Sequence, residues 1–177
     1  LFAYQFGSVN IKLGEVIEAP DYQSGSENRK QVHDLAFKCF LEVGRNMVVT
    51  PTALLATVLL DEPSGAMIWA DILDKAHAII NFCKKFEIPF VESLKDESFE
   101  KALERAIDIM IGNRKIDVIG RNHQGHVYYS IRVECRSELL YFKNTILHHF
   151  IIPCTINAAW INLFNGNISN VNDLKQF

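Results

Sequence analysis

Paired cysteines, an excess of basic charge and a long apolar run are all missing from this sequence. The four cysteines stand singly and far apart, which argues against a structural zinc site and against a disulfide scaffold. Reduced thiols in an intracellular compartment are therefore expected. The net charge is −3, whereas nucleic-acid-binding domains are usually basic. We expect no nucleic-acid partner.

A membrane-spanning segment is not evident either. No uninterrupted apolar run reaches the roughly 18 residues that a spanning helix requires. The most apolar stretch, residues 146–164, is broken by polar groups that are costly against lipid. They include His148, His149, Asn157 and Asn162. Any membrane contact of this chain is therefore expected to be peripheral.

The apolar residues that are present suffice for a folded domain. The chain has 177 residues, of which 49% are hydrophobic and 22% are charged, as in ordinary soluble domains. Most of the apolar residues recur at helical spacing, and a smaller number alternate as in strands. The pattern predicts an α+β fold that is predominantly α-helical: a helical bundle with one small antiparallel β-hairpin.

The element order follows from these patterns and from the turn residues between them. Residues 7–17 alternate and predict a half-buried strand, which needs a partner although no second strand follows before residue 115. Residues 18–28 read as a linker, residues 29–164 as a helical domain with a hairpin at about 115–133, and residues 165–177 as an irregular tail. The predicted helices are 29–46, 51–60, a helix from Ser64 or Gly65 to about Phe86, 98–111, and a last helical region from Ser137 that Pro153 should kink or split.

Particular faces of these helices are predicted to be buried. Residues 51–60 are apolar nearly all round, which is typical of a helix buried on every side. Trp69 and Trp160 are expected in the core. On the first helix the predicted buried face is formed by Val32, Leu35, Ala36, Cys39, Phe40 and Val43.

Three segments resemble the glycerol-3-phosphate acyltransferase family, including its dihydroxyacetone-phosphate relatives. Residues 6–17, FGSVNIKLGEVI, look like the strand and Gly-Glu-Pro turn late in the acyltransferase domain, with Val16 in place of the proline. Residues 48–60, VVTPTALLATVLL, are similar to a helix that follows that domain. Residues 141–153, YFKNTILHHFIIP, look like the Tyr-Tyr-Arg-Asn-Asn-x-x-His…Pro stretch, with Lys143 in place of arginine.

The resemblance implies a parent enzyme that transfers an acyl chain to the 1-hydroxyl of glycerol 3-phosphate, the first step of phospholipid synthesis. The acyl donor would be acyl-coenzyme A or acyl carrier protein, and the parent would be an intracellular, peripheral membrane protein. It also implies that residues 1–17 hold the last strand of the catalytic domain and that the rest is a post-catalytic region. The missing catalytic domain of the same polypeptide would then be the main partner.

The family's catalytic motif is not in this sequence. That motif is His-x4-Asp, in which the histidine deprotonates the attacking hydroxyl and the aspartate orients the ring. None of the six histidines is followed by aspartate at that spacing. We therefore assign no catalytic residue, no cofactor-binding residue and no metal ligand, and we expect the chain alone to be inactive.

Five polar residues are candidates for contact with the catalytic domain or with an anionic lipid head group. Lys143, Asn144 and His148 lie within the third similar segment, and Arg136 and Arg132 belong to the modest basic neighbourhood before it. The alternative for the adjacent His148 and His149 is that one faces the core or the preceding domain and the other faces water.

A different class of function remains open. The order helix, helix, helix, hairpin over residues 51–133 is also that of a winged helix, a fold that commonly docks one helix in a DNA groove. The helix in that place, 98–111, carries Glu100, Glu104 and Asp108, which phosphates would repel. The alternative function is therefore a winged-helix-like protein-interaction module without an enzymatic role.

Overall fold

The computed structural model describes residues 7–19, 27–95, 98–120 and 125–167. Its helices are α1 (Glu27–Asn46), α2 (Pro51–Leu60), α3 (Trp69–Lys85), α4 (Phe99–Gly112) and α5 (Arg136–Phe164), and its strands are β1 (Ala66–Ile68), β2 (Ile116–Ile119) and β3 (Tyr128–Ile131). The fold is therefore predominantly helical α+β, as the sequence predicts.

Helix α2 is the centre of the core. Thr50 caps it by accepting a hydrogen bond from the amide of Ala53, and Pro51 occupies the first turn, where no backbone donor is lost. Helices α3, α4 and α5 pack around it. Its buried residues are Ala53, Leu54, Leu55, Ala56, Val58 and Leu59. The prediction of a helix buried on every side is confirmed.

The hairpin is confirmed, but it belongs to a larger sheet. Strands β2 and β3 pair antiparallel with Ile116 opposite Ile131, and β1 pairs with the other edge of β3. The predicted helix start at Ser64 or Gly65 is wrong, because β1 precedes Trp69. Gly65 has φ +74°, a backbone conformation that a continuing right-handed helix excludes. A three-residue strand is too short to show alternation in the sequence.

The described elements from α2 to β3 have winged-helix order. They run helix, strand, helix, helix, strand, strand, and the sheet order is β1-β3-β2. The alternation of helix and strand packs one face of the sheet onto the helices, where Met67, Ile116 and Ile131 are buried. The helical region therefore contains a winged-helix-like body, extended at one end by α1 and at the other by α5.

Residues 7–19 do not form the half-buried strand predicted for them. They carry neither helix nor strand, and Val9, Ile11 and Leu13 are at least 84% exposed. The physical reason is that a strand requires a hydrogen-bonded neighbour, and the described residues offer none to this segment. Its assignment to the catalytic domain stays a prediction.

Helix α1 forms where it was predicted, but its apolar face is not covered. Of its side chains from Arg29 to Asn46, none is buried, and Phe40 and Val43 are 75% and 63% exposed. Helix α1 already includes Glu27 and Asn28, which were predicted as linker. Residues 20–26 of that linker and 168–177 of the predicted tail lie outside the described residues.

Helix α5 is continuous through Pro153, so the predicted split does not occur. The first half of the helix packs on α2, and Leu139 and Ile146 are fully buried there. The second half leaves the body of the domain. Trp160, predicted for the core, is 59% exposed, whereas Trp69 packs against the core and against Tyr129.

Candidate interaction surface

The second half of α5 presents an uncovered apolar surface. Six of its large apolar residues are at least half exposed: Ile151, Ile152, Ile156, Trp160, Ile161 and Phe164. Ile152, Ile156, Trp160 and Phe164 recur every fourth residue, so they form one continuous stripe along the helix. We call these four residues the α5 stripe. Exposed apolar stripes of this kind mark interaction sites in soluble domains.

The charge pattern of this helix reinforces that interpretation. Between Lys143 and Asp173 the sequence contains no Asp, Glu, Lys or Arg. The stretch Val133–Phe164 is long and apolar enough to cross a membrane by length and composition, and 6% of its most apolar window is buried. A helix with few charges and little burial needs an apolar environment that the described domain does not supply.

Arg132, one of the five predicted contact residues, is paired with carboxylates of the domain itself. Its Nε donates to Asp117 Oδ1 on β2 at 2.8 Å, and Nη1 lies 3.9 Å from Glu134. The hydrogen bond to Asp117 raises the pKa of the Arg132 guanidinium further. Two carboxylates therefore neutralise this cation, and the basic neighbourhood is weaker at Arg132 than the sequence predicts.

Arg136 and Lys143 lie seven residues apart on α5, so both point to the same side of the helix. Arg136 is exposed and Lys143 is half-buried, while Asn144 is exposed on the neighbouring face. The structure therefore brings two of the predicted cations together near the first half of α5. The apolar second half begins directly beyond them.

His148 and His149 both contact the end of α1, which the sequence does not predict. His148 Nε2 lies 2.8 Å from the carbonyl oxygen of Gly44, and His149 Nε2 lies 2.9 Å from that of Met47. The rings are 3.9 Å apart between centroids. His148 is exposed and His149 is half-buried. No sequence pattern could identify these partners, because both acceptors are backbone carbonyls.

The two histidine rings lie in different environments. Burial of the His149 ring lowers its pKa, and the neighbouring His148 and Lys12 lower it further. The hydrogen bond with Met47 acts in the opposite direction. His149 therefore favours the neutral form, in which Nε2–H donates to the carbonyl.

A second link joins α5 to the hairpin. Lys115, which precedes β2, forms an ion pair with Glu138 on the first turn of α5, and its ammonium lies 5.6 Å from the centre of the Phe142 ring. The Lys115 side chain is mostly covered. This contact fixes the first half of α5 against the winged-helix-like body. Because the helix is continuous, the direction in which its second half leaves that body is fixed as well.

Other features of the described residues do not form an enclosed catalytic site. A cavity of about 450 Å³ lies between residues 12–15 and the end of α1, lined on the α1 side by Glu42, Arg45 and Asn46. In the described ranges, no group of three or more His, Cys, Asp and Glu side chains is placed to hold a metal ion. His33 lies 3.7 Å from Asp34, but both are well exposed on α1.

The comparisons with known proteins identify the family. A family model described as the glycerol-3-phosphate acyltransferase C-terminal region matches residues 1–176. No curated protein sequence matches the chain significantly. The match extends over residues 7–19, the winged-helix-like body and all of α5. The chain therefore belongs to the family of glycerol-3-phosphate acyltransferase C-terminal regions.

Proposed function

We propose that this chain is the accessory, non-catalytic region of an sn-glycerol-3-phosphate 1-O-acyltransferase of phospholipid synthesis. The observation that carries the proposal is a family match along nearly the whole chain in a sequence without His-x4-Asp. The hydroxyl of glycerol 3-phosphate needs a base to attack the acyl carbonyl. That base is supplied by the catalytic segment of the same polypeptide.

The exposed apolar surfaces support a role in packing. Residues 9–16 and α1 expose valine, isoleucine, leucine and phenylalanine side chains, and both lie on the side of the chain that precedes the winged-helix-like body. Burial of apolar area is the main favourable term in association. We propose that these residues pack on the catalytic segment.

We further propose that the second half of α5 lies in the membrane interface. From Ile151 to Phe164 the helix is roughly 21 Å long at 1.5 Å per residue, short of the ~30 Å hydrocarbon core. Its first half is held on α2 and does not contribute to a span. An apolar stripe with Trp160, together with Arg136 and Lys143 nearby, suits an anionic interface.

The catalytic part of the proposal is tested by acyl transfer. The chain alone, incubated with acyl-coenzyme A and glycerol 3-phosphate, should form no acylglycerol phosphate, whereas the parent polypeptide should. Deletion of residues 51–164 from the parent should abolish its activity or its membrane recovery. Turnover by the isolated chain would overturn the proposal.

The membrane part is tested by sedimentation with vesicles. The double variant I152D/I156D should lose binding to vesicles that contain anionic phospholipid, since charge on the α5 stripe is costly in lipid. The control is A158D, which adds a charge at an exposed position about 120° around the helix from Ile152 and about 160° from Ile156. Equal binding of both variants would contradict this part, and resistance to alkaline extraction would indicate a spanning helix instead.

A protein-interaction module is the second function, favoured by the winged-helix element order. DNA binding by this body is disfavoured because Glu100, Glu104 and Asp108 form an exposed acidic row on α4. A gel shift with duplex DNA at low salt should show no complex. A salt-sensitive complex would reverse that conclusion.

A further inference from the structure

Packing of side chains in the hydrophobic core does not hold helix α1 in place. None of its side chains from Arg29 to Asn46 is buried, so hydrophobic packing contributes little to its position. It is followed by Val49, which is fully buried and pairs with Phe90, so the chain is anchored from that residue onward. Only residues 47 and 48 lie between the end of the exposed helix and this anchor.

The C-terminal end of α1 is where the two histidines bind. The last turn of a helix leaves carbonyl groups without intrahelical partners and carries partial negative charge. At this end the carbonyl of Gly44 accepts from the amide of Met47 and from His148, and the carbonyl of Met47 accepts from His149. The His148 ring lies directly beside this turn, since a Cβ added at Gly44 would be in ordinary van der Waals contact with it at 3.6 Å.

We infer that His148 and His149 are positioning residues: together they form a latch that fixes the end of α1 on α5. Each histidine supplies one donor to one carbonyl, and the two carbonyls are three residues apart, so the pair restrains both the position and the rotation of the helix end. A single hydrogen bond to one carbonyl would leave the helix end free to rotate about that contact. The latch uses Nε2 of both rings for the backbone of α1.

The latch has a consequence for the parent enzyme, and this consequence rests on the proposed function. Residues 7–19 precede α1, and the catalytic segment joins the helical body through them. Gly14 packs against Asn46 at the same end of α1. The angle of α1 therefore sets how the catalytic segment meets α5 and, through it, the membrane.

The chain's own cysteines allow a direct test. Cys39 on α1 and Cys154 on α5 are both exposed, whereas Cys83 is buried. With Cys135→Ser as background, spin labels on Cys39 and Cys154 report the distance between the two helices by pulsed electron resonance. We expect one narrow distance distribution, and a broad one in H148A/H149A. Glutamine retains a side-chain N–H donor, so H148Q/H149Q should recover part of the narrow peak.

Two further variants make the result decisive. H33A removes an exposed histidine from α1 itself and should leave the distribution narrow. H148A alone changes an exposed side chain, so it should fold even if the double variant does not, and it should broaden the distribution measurably. An unchanged distribution in H148A, with circular dichroism also unchanged, would overturn the latch.

Kinetic measurements on the parent enzyme test the latch and its proposed consequence for catalysis separately. In the full polypeptide, H148A/H149A should lower kcat severalfold while the KM for the acyl donor stays the same, because positioning is lost and no substrate contact is removed. A broadened distance with unchanged kcat would overturn the consequence for catalysis. A narrow distance with lowered kcat would overturn the latch and leave the proposed function standing.

Discussion

Arg132 Nε donates to Asp117 Oδ1 at 2.8 Å, so a cation predicted to meet lipid is paired across the hairpin instead. Because this pair is exposed to solvent, it contributes little to stability. We expect R132A to change the thermal unfolding midpoint slightly and to leave binding to anionic vesicles unchanged. The double variant R136A/K143A should reduce that binding. A loss of binding in R132A equal to that in the double variant would show that Arg132 meets lipid.

The core around α2 should be sensitive to truncation, whereas the α5 stripe should not. Leu55 is fully buried, and L55A should lower the free energy of unfolding by about 2–5 kcal/mol through lost burial and a cavity. Ile152 is 70% exposed, and I152A should lower it by less than about 1 kcal/mol. Urea denaturation measures both. Equal losses in the two variants would mean that the α5 stripe is covered in solution.

The end of α3 offers a stabilising substitution. Glu87 follows the helix with φ 55°, a left-handed conformation that costs a residue with a Cβ about 1–2 kcal/mol relative to glycine. We expect E87G to raise the free energy of unfolding by about 0.5–1 kcal/mol, since glycine also gains entropy in the unfolded chain. The control A78G, at an exposed position inside the same helix, should lower it by a similar amount. A destabilised E87G would contradict the left-handed conformation.

The pH dependence of stability should include a contribution from His149. Its pKa is lowered in the folded chain, mainly by burial, so the unfolded chain binds the proton more readily. This contribution to stability is fully present above the unfolded pKa of about 6.5 and is lost as the pH falls toward the lower folded value. Thermal unfolding should therefore show a decline below about pH 6.5 that is smaller in H149Q. An identical decline in both proteins would contradict the assignment.

The cysteines should differ in reactivity in a fixed order. Burial raises the pKa of the Cys83 thiol to about 11, so almost no thiolate exists near neutral pH. Cys39 and Cys154 are exposed. Mass spectrometry after alkylation at pH 7.5 should show both of them modified well before Cys83. Rapid alkylation of Cys83 in the folded chain would indicate that the packing of α3 on α2 is looser than described.

Elements that are determined by residues close together in the chain could be predicted from the sequence. Helix α2 has a cap, a proline in its first turn and apolar residues on all sides, so both its limits and its burial followed from local chemistry. The apolar stripe of α4 was equally clear, and Phe99, Leu103, Ala106 and Met110 are buried as predicted. The hairpin of β2 and β3 followed from alternation on both sides of a loop.

Features that depend on distant partners could not be predicted in this way. Strand β1 exists because Met67 lies opposite Tyr129 of β3, and three residues carry no period of their own. The patterns at residues 7–17 and on α1 show correctly which side chains alternate or share a face. The burial predicted for those side chains is wrong. Periodicity reports which side chains share a face, but not whether another element covers that face.

The sequence by itself determined the helical class, the central helix, the hairpin and the absence of the catalytic motif, because each depends on residue types at short spacing. Tertiary structure alone decided that Arg132 pairs with Asp117, that Trp160 is exposed, and that two histidines of α5 reach the end of α1. The physical reason is that all three depend on residues far apart in the chain, and a backbone carbonyl can accept a hydrogen bond at any residue type. Which of these residues meet, and which stay exposed, is decided by how the helices and strands pack in three dimensions.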